Sequence, residues 1–382
     1  MGNRRELTLS GAAKEAALRE MYADINARNM FPVWARASDV EHDEIRQLMS
    51  GPKPVPFRWS YKDDIESLLH RSAELVTTED TDRRSLVLVN PGLAPRRATI
   101  STLYTAYRLN DPNEIMPPHR HTASAIRFGL TGTKNFTGVE GEDITFGPGD
   151  MVLTPRDTWH NHGNVGDAPA INLSVLDYPL VENLNALAFD HDYKEGGVAK
   201  NKQSARFPTD YSARVYGTGG LRPRFVDHFR GVGGSSPMFV YRYDAMRELL
   251  ERHRDYAGNP HEGLLIEYID PLTGGPVYRT MTFFMQMVRN AETTLPIKQS
   301  ASLLVAPFEG RGHALIDGKR FELDRFDTVA VPGGHWVEYV NDGDEPLILF
   351  VASDEPALAA FGLLTRYGRT ASGDVVNLLQ RA

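Results

Sequence analysis

The hydrophobic pattern changes period along the chain. Near the start, "AALREMYADINAR" (16–28) has helix-forming composition, and "DDIESLLHRSAELV" (63–76) sets Ile65, Leu68, Leu69 and Val76 at helical spacing. His70 falls within this second helix as a surface or interface residue. "NPGL" (90–93) breaks the pattern. From about Thr99 to Leu180 the text turns to short β-rich runs: "STLYTAYRL", "SAIRFGL", "MVLTP" and "AINLSVL". Gly and Pro punctuate them, as an all-β sandwich or barrel requires. A Gly-rich connection follows, "YGTGGLRPRF" and "RGVGGSSP" (216–225 and 230–237), then a helix, "YDAMRELLERH". A second β-rich block is predicted from about 276 to 352, and "PALAAFGLLTRYG" as a closing helix.

The two β blocks read as an internal repeat. "EGEDITFGPGDMVLTP" (140–155) aligns without gaps on "DGKRFELDRFDTVAVP" (317–332). Gly141 meets Gly318, Asp150 meets Asp327 and Pro155 meets Pro332, each 177 residues apart. Two unrelated hairpins with similar turn needs would also match; the equal lengths of the blocks favour duplication.

Composition narrows the function. A chain of 382 residues suits two domains with additional structure, and 41% hydrophobic with 24% charged residues describes an ordinary core-forming protein. A net charge of −8 gives no footprint for nucleic acid or an anionic membrane. No apolar run is long enough to span a bilayer, and the first residues lack a signal-peptide core. Glu6 stands where a myristoylation motif wants Ser or Thr. The expected location is cytoplasmic. Cysteine is absent, so disulfides and thiolate metal sites are excluded and any transition metal must be held by His, Asp or Glu.

The candidate chemistry lies in "PPHRHTASAIRF" (117–128). In a strand, His119, His121, Ala123, Ala125 and Arg127 share one face and Arg120 turns to the other. Two imidazoles and a fixed cation suit a metal beside an anionic ligand. A third ligand comes from "GDMVLTPRDTWHNHGN" (149–164), which reads G-x5-P-x4-H-x3-N around His160. "HNH" is itself a second H-x-H, so His160 and His162 both compete for that place.

Together these segments resemble the two motifs of the cupin superfamily, a double-stranded β-helix that binds metal inside its barrel. The resemblance covers both β blocks. It implies a mainly β bicupin with N-terminal and C-terminal helices: a helical arm (1–95), a metal-binding cupin (96–185), a linker with a helix (186–275), and a metal-free cupin with a C-terminal helix (276–382). The motif spacing selects His119, His121 and His160 as ligands and leaves His162 beside them. Cupins usually carry a glutamate about four residues after H-x-H; here Ala125 and Ile126 stand there. Three imidazoles without a carboxylate leave an Fe(II) ion open positions for a chelating substrate and O2. Zn(II) is the competitor for the same ligands. In the second block a shift of 177 or 178 lands on Pro296 and Lys298 or Ile297 and Gln299, and Val337 replaces His160. His335 stands nearby without partners and reads as structural.

"PPHRHTASAIRF", "RRSLVLVNPGL" (83–93) and "LTPRDTWHNHGN" further resemble the gentisate 1,2-dioxygenase family, over most of the chain. That family includes salicylate, 5-nitrosalicylate and 1-hydroxy-2-naphthoate dioxygenases. It implies O2-dependent, iron-assisted cleavage of an ortho-hydroxybenzoate between the hydroxyl- and carboxyl-bearing carbons, by a homotetramer. Arg127 and Arg83 then clamp the substrate carboxylate, and His162 stabilises developing charge. Tyr104, Ala106 and Arg108 stand where salicylate-cleaving relatives carry Trp, Gly and Gln, and Ser174 where relatives commonly have Asp. Met116 either packs on the substrate ring or fills a gap. The rival expectation from another class is a non-catalytic cupin that senses a small aromatic acid.

Overall fold

A computed structural model describes residues 10–28, 30, 32–34, 52–76, 84–217, 219 and 234–379. The chain falls into two units, Met1–Lys53 and Pro54–Ala382. The first contributes one described helix, Gly11–Ala27. The second holds the β structure.

Two six-stranded antiparallel sheets form its centre. One runs in spatial order Val240–Tyr241, Met151–Thr154, Ala125–Thr131, Ala170–Leu176, Tyr104–Asn110, Leu86–Val87. The other runs Phe57–Trp59, Thr328–Val331, Leu303–Glu309, Leu347–Ser353, Thr282–Val288, Leu264–Glu267, strand for strand the same arrangement. Each faces a further sheet. Glu142–Phe146, Asn135–Val139 and His160–Asn164 belong to the first barrel. Six strands, from Lys319–Leu323 to Val375–Asn377, belong to the second. The sheets are open, not closed into continuous cylinders.

Alternation along each central strand assigns its residues to two different cores. Tyr107, Leu109, Ile126, Phe128, Leu173 and Val175 of the first sheet share one buried cluster with Phe283, Met285, Leu304, Phe308 and Phe350 of the second. Phe128 stacks on Phe350 at 4.1 Å between ring centroids and meets Phe308 edge-on at 5.2 Å. The opposite faces turn into the barrel interiors. The second interior is filled by Val288, Val305, Ile316, Leu323, Val337, Leu349 and their neighbours. Among the described residues the first has only small apolar clusters, one around Ile144, Phe146 and Val152 and one around Ala125, Leu176 and Tyr178.

Pairs of equivalent aspartates hold the two halves together. Asp177 accepts hydrogen bonds from the Ser124 amide (2.7 Å) and the Thr280 hydroxyl (2.6 Å). Asp354 accepts from the Ser302 amide (2.7 Å) and the Thr102 hydroxyl (2.6 Å). Each therefore links its own barrel to the other. Asp150 accepts from Arg242 and the Tyr243 amide, and Asp327 accepts in the same way from Arg58 and the Tyr61 amide. These aspartates are 177 residues apart within each pair, as duplication requires.

The expected division into arm, barrel and linker differs from this arrangement. The arm supplies Phe57–Trp59 to the second barrel and Leu86–Val87 to the first. The linker supplies Val240–Tyr241 to the first and Leu264–Glu267 to the second. Such strands satisfy the open N–H and C=O groups of a sheet edge, and most are too short to show a period of their own. The helix near the C-terminus is also shorter than its sequence predicts, Glu355–Ala360. It stops before Gly362, which has φ +67°, and Arg366–Arg369 then joins the second barrel. His70 is exposed on the helix Glu66–Leu75. Most of the Gly-rich connection lies outside the described residues. Among the described residues no helix is long and apolar enough to cross a membrane.

Phe128→Ala should open a void between the central sheets and cost about 3–5 kcal/mol, read as a lower denaturant midpoint. An unchanged midpoint would mean that the sheets do not depend on this shared core.

Candidate metal centre

The run from His119 to Arg127 does not form the single strand its alternation predicts. The chain bends at Thr122 and Ala123, separating Arg120–His121 from Ala125–Thr131. The histidines still converge, because the His119 and His160 backbones pair reciprocally, N to O at 2.9 Å in both directions. Arg120 turns outward as expected, bonding Asp190 at 2.8 Å and lying over the Trp159 ring.

His119, His121 and His160 are buried, and their nearest ligand atoms lie within 4.8 Å of one another. Each Nδ1 faces a backbone carbonyl: Pro117 at 3.3 Å, Ala123 at 2.7 Å and Thr158 at 2.8 Å, respectively. A carbonyl can only accept, so Nδ1 carries the proton and Nε2 keeps its lone pair. His160 Nε2 is buried without a hydrogen-bond partner. Burial, then the neighbouring His119, His121 and Arg127, hold the His160 imidazole well below its ordinary pKa. Neutral rings with lone pairs inward are what a transition metal requires. Among the described residues no carboxylate joins this group.

The imidazoles His119 and His121 open onto a cavity of about 500 Å³. Arg97, Arg108 and Arg127 supply its positive charge; Tyr104, Ala106, Leu176, Tyr178 and Phe189 supply apolar wall. Ser174 lies opposite both Ala106 and Arg127 in register, so these three form a row across the inner face of the sheet. Arg127 donates to the Ile126 carbonyl at 3.1 Å and to His162 Nε2 at 2.8 Å. His162 Nε2 therefore accepts, and its Nδ1–H donates to Thr137 at 3.2 Å. Burial, then Arg127, keeps His162 neutral by lowering its pKa well below 6.5.

The structure thus separates the two histidines that compete in sequence. His160 joins the cluster, whereas His162 turns its Nε2 to Arg127 and is not on the cavity wall. Met116 is also absent from that wall. It is fully buried, and its amide donates to the His162 carbonyl at 2.8 Å. Arg83 lies outside the described residues. Its neighbour Arg84 is bound by Glu114 at 2.8 Å and Asp111 at 3.1 Å.

Sequence reasoning missed Arg97, Tyr178, Phe189 and His191. Arg97 donates to the Tyr178 hydroxyl at 3.0 Å, and Phe189 is placed by pairing with His121. The His191 ring lies nearly parallel to that of His119, centroids 5.8 Å apart. None carries a motif, and each reaches the site through contacts distant in sequence. His335, in the second barrel, bonds Asp317 at 2.6 Å near the surface, as a structural residue does.

A cupin domain model matches residues 110–176. The chain is 32% identical to the 1-hydroxy-2-naphthoate 1,2-dioxygenase of Nocardioides sp. (strain KP7), over 87% of this chain and 84% of that protein. It is 32% identical to a gentisate 1,2-dioxygenase of Aquipseudomonas alcaligenes, over 90% of this chain and 94% of the relative. The solved salicylate 1,2-dioxygenase of Pseudaminobacter salicylatoxidans superposes with a TM-score of 0.77 at 26% identity, covering 92% of this chain and 97% of that one.

His119→Ala, His121→Ala and His160→Ala should each abolish stable metal binding, while His335→Ala retains one ion per chain by elemental analysis. Two ions per chain would require a second centre that these residues do not form.

Proposed function

Because the chain belongs to the gentisate 1,2-dioxygenase family of bicupin, ring-cleaving enzymes, we propose that its cavity opens an ortho-hydroxybenzoate between the hydroxyl- and carboxyl-bearing carbons. The observation that carries this reading is a carboxylate-free trio of imidazoles, two of which line a cavity together with three arginines. The metal we assign is Fe(II), held by His119, His121 and His160. When bound, it supplies chelation of the substrate's carboxylate and phenolate oxygens and a redox partner for O2. Zinc would fit the same nitrogens but offers no redox chemistry.

The chain's own residues select and orient the substrate. Arg127, tethered at Ile126 and His162, offers a charge-assisted contact to an anionic oxygen. His162 acts through it. With Nδ1–H given to Thr137, its Nε2 must accept, so it fixes the guanidinium without competing for the anion. This replaces the direct role in charge stabilisation expected for His162 with a positioning one. Arg108 adds a second buried cation, and the exposed Arg97 lies beside Tyr178 on the cavity wall. Tyr104, Ala106 and Phe189 offer apolar surface to a planar ring.

Gentisate and a 5-substituted salicylate such as 5-nitrosalicylate are the leading substrates. A salicylate without a second hydroxyl lacks its electron donation, so the pocket must compensate through orientation and charge. Arg108, on the cavity wall, suits a nitro group or another acceptor. We further assign the chain to the cytoplasm and to a homotetramer, which light scattering coupled to gel filtration tests.

Oxygen uptake with gentisate, salicylate and 5-nitrosalicylate tests the reaction; consumption with none of them would leave the assigned substrate class without support. Arg127→Ala should keep its iron and lose about 1.5–3 kcal/mol of substrate interaction, seen as a raised KM; loss of iron would assign Arg127 to the fold. Arg108→Gln should shift the ratio of kcat/KM between gentisate and 5-nitrosalicylate by about 1 kcal/mol or more. Met116→Ala should lower thermal stability and leave that ratio unchanged.

A further inference from the structure

The barrel without a metal centre is not uniformly filled. Among its aliphatic residues lies a cavity of about 180 Å³, in the place that the metal-site cavity holds in the first barrel. Strand equivalence makes the correspondence explicit. Tyr104–Asn110 onto Thr282–Val288 is a shift of 178, which replaces Arg108 by Gln286; the same shift replaces His119 by Ile297 and His121 by Gln299. A shift of 177 puts Tyr339 where His162 stands. Gln286, Ile297, Gln299 and Tyr339 all line the second cavity.

Its charge is inverted. Three arginines line the first cavity; Glu262, Glu267 and Glu355 line the second, with Arg366 as the arginine there, paired to Glu262. Glu267 accepts from Thr282 at 2.6 Å. Burial, opposed by Arg366 and reinforced by the nearby carboxylates, holds the Glu355 carboxyl above its usual range. The cavity also contains polar atoms with nothing to bind. Gln299 is 8% exposed and Tyr339 2%, yet Gln299 Oε1 and Tyr339 Oη are buried without hydrogen-bond partners, as is Arg366 Nε. Buried polar atoms are rarely left so, because each forfeits its hydration. Among the described residues Glu262, Glu267 and Glu355 do not gather into a three-ligand cluster like that of the first barrel. That favours an occupant larger than a bare cation.

We propose that the second barrel binds a small protonated amine bearing a hydroxyl. Its ammonium group sits between Glu267 and Glu355, Gln299 Oε1 and Tyr339 Oη accept from it, and Arg366 Nε donates to the hydroxyl. The duplication thus retained two ligand cavities of opposite charge, one with a metal and one without. This reading is independent of the substrate assigned to the first barrel.

Calorimetric titration of the metal-loaded full chain with ethanolammonium, ethylammonium and propionate tests it. Saturable binding of ethanolammonium at one site per chain is expected, with ethylammonium weaker and propionate silent. Glu267→Gln and Glu355→Gln should each weaken binding about tenfold or more, with metal content and ring-cleavage rate unchanged. Leu303→Phe, which fills the cavity without changing its charge, should also reduce binding and serves if a glutamine variant does not fold. No saturable ethanolammonium binding up to about 50 mM, equal binding of propionate, or undiminished binding by folded Leu303→Phe would each overturn the proposal.

Discussion

Face-to-face packing of the two six-stranded sheets is the constraint on which the rest depends. Every central strand has one face against the other barrel and one against its own interior. Phe128, Phe308 and Phe350, with the Leu, Ile and Met residues around them, form an apolar layer between the barrels. This layer supplies burial that does not depend on what either interior contains. An inward row of Ala106, Ser174 and Arg127 would be a poor core for an isolated barrel, since desolvating an ionised group costs several kcal/mol. Here the neighbouring face of the same strands offsets that cost.

Backbone geometry then orients the chemistry. Reciprocal pairing of His119 with His160 brings two distant segments together, and carbonyls of Pro117, Ala123 and Thr158 set three imidazoles in one tautomer. The same logic runs outward from Thr137 through His162 to Arg127, where each hydrogen bond fixes the next donor. A neutral His162 is essential to that relay: an imidazolium would present a second donor to the guanidinium.

Duplication explains why two barrels of like construction carry unlike interiors. The paired anchors, Asp177 with Asp354 and Asp150 with Asp327, preserve strand placement and the crossing of segments between halves. Residues facing inward are released from that task. Gln299 and Ile297 could then replace histidines, and glutamates could gather where the first barrel gathers arginines, without disturbing the sheets that hold them.

Much of this was legible along the chain because it depends on short spacings. H-x-H and G-x5-P-x4-H-x3-N place ligands within single strands or turns, and the repeat of Gly141, Asp150 and Pro155 reflects turns that need those residues. The β blocks and the helix "YDAMRELLERH" follow from period alone. What sequence could not decide depends on register between distant strands and on side-chain direction. Short edge strands pair across barrels without a pattern of their own. Arg97, Tyr178 and Phe189 enter the site through neighbours far away in the chain. Motif spacing already selected His160 over His162 as the ligand; the tertiary structure adds where each points, His160 toward the other imidazoles and His162 Nε2 toward Arg127. Sequence determined which groups were available for chemistry; only the tertiary structure decided which way each one faces, because alternation names a face and the opposing sheet determines what lies upon it.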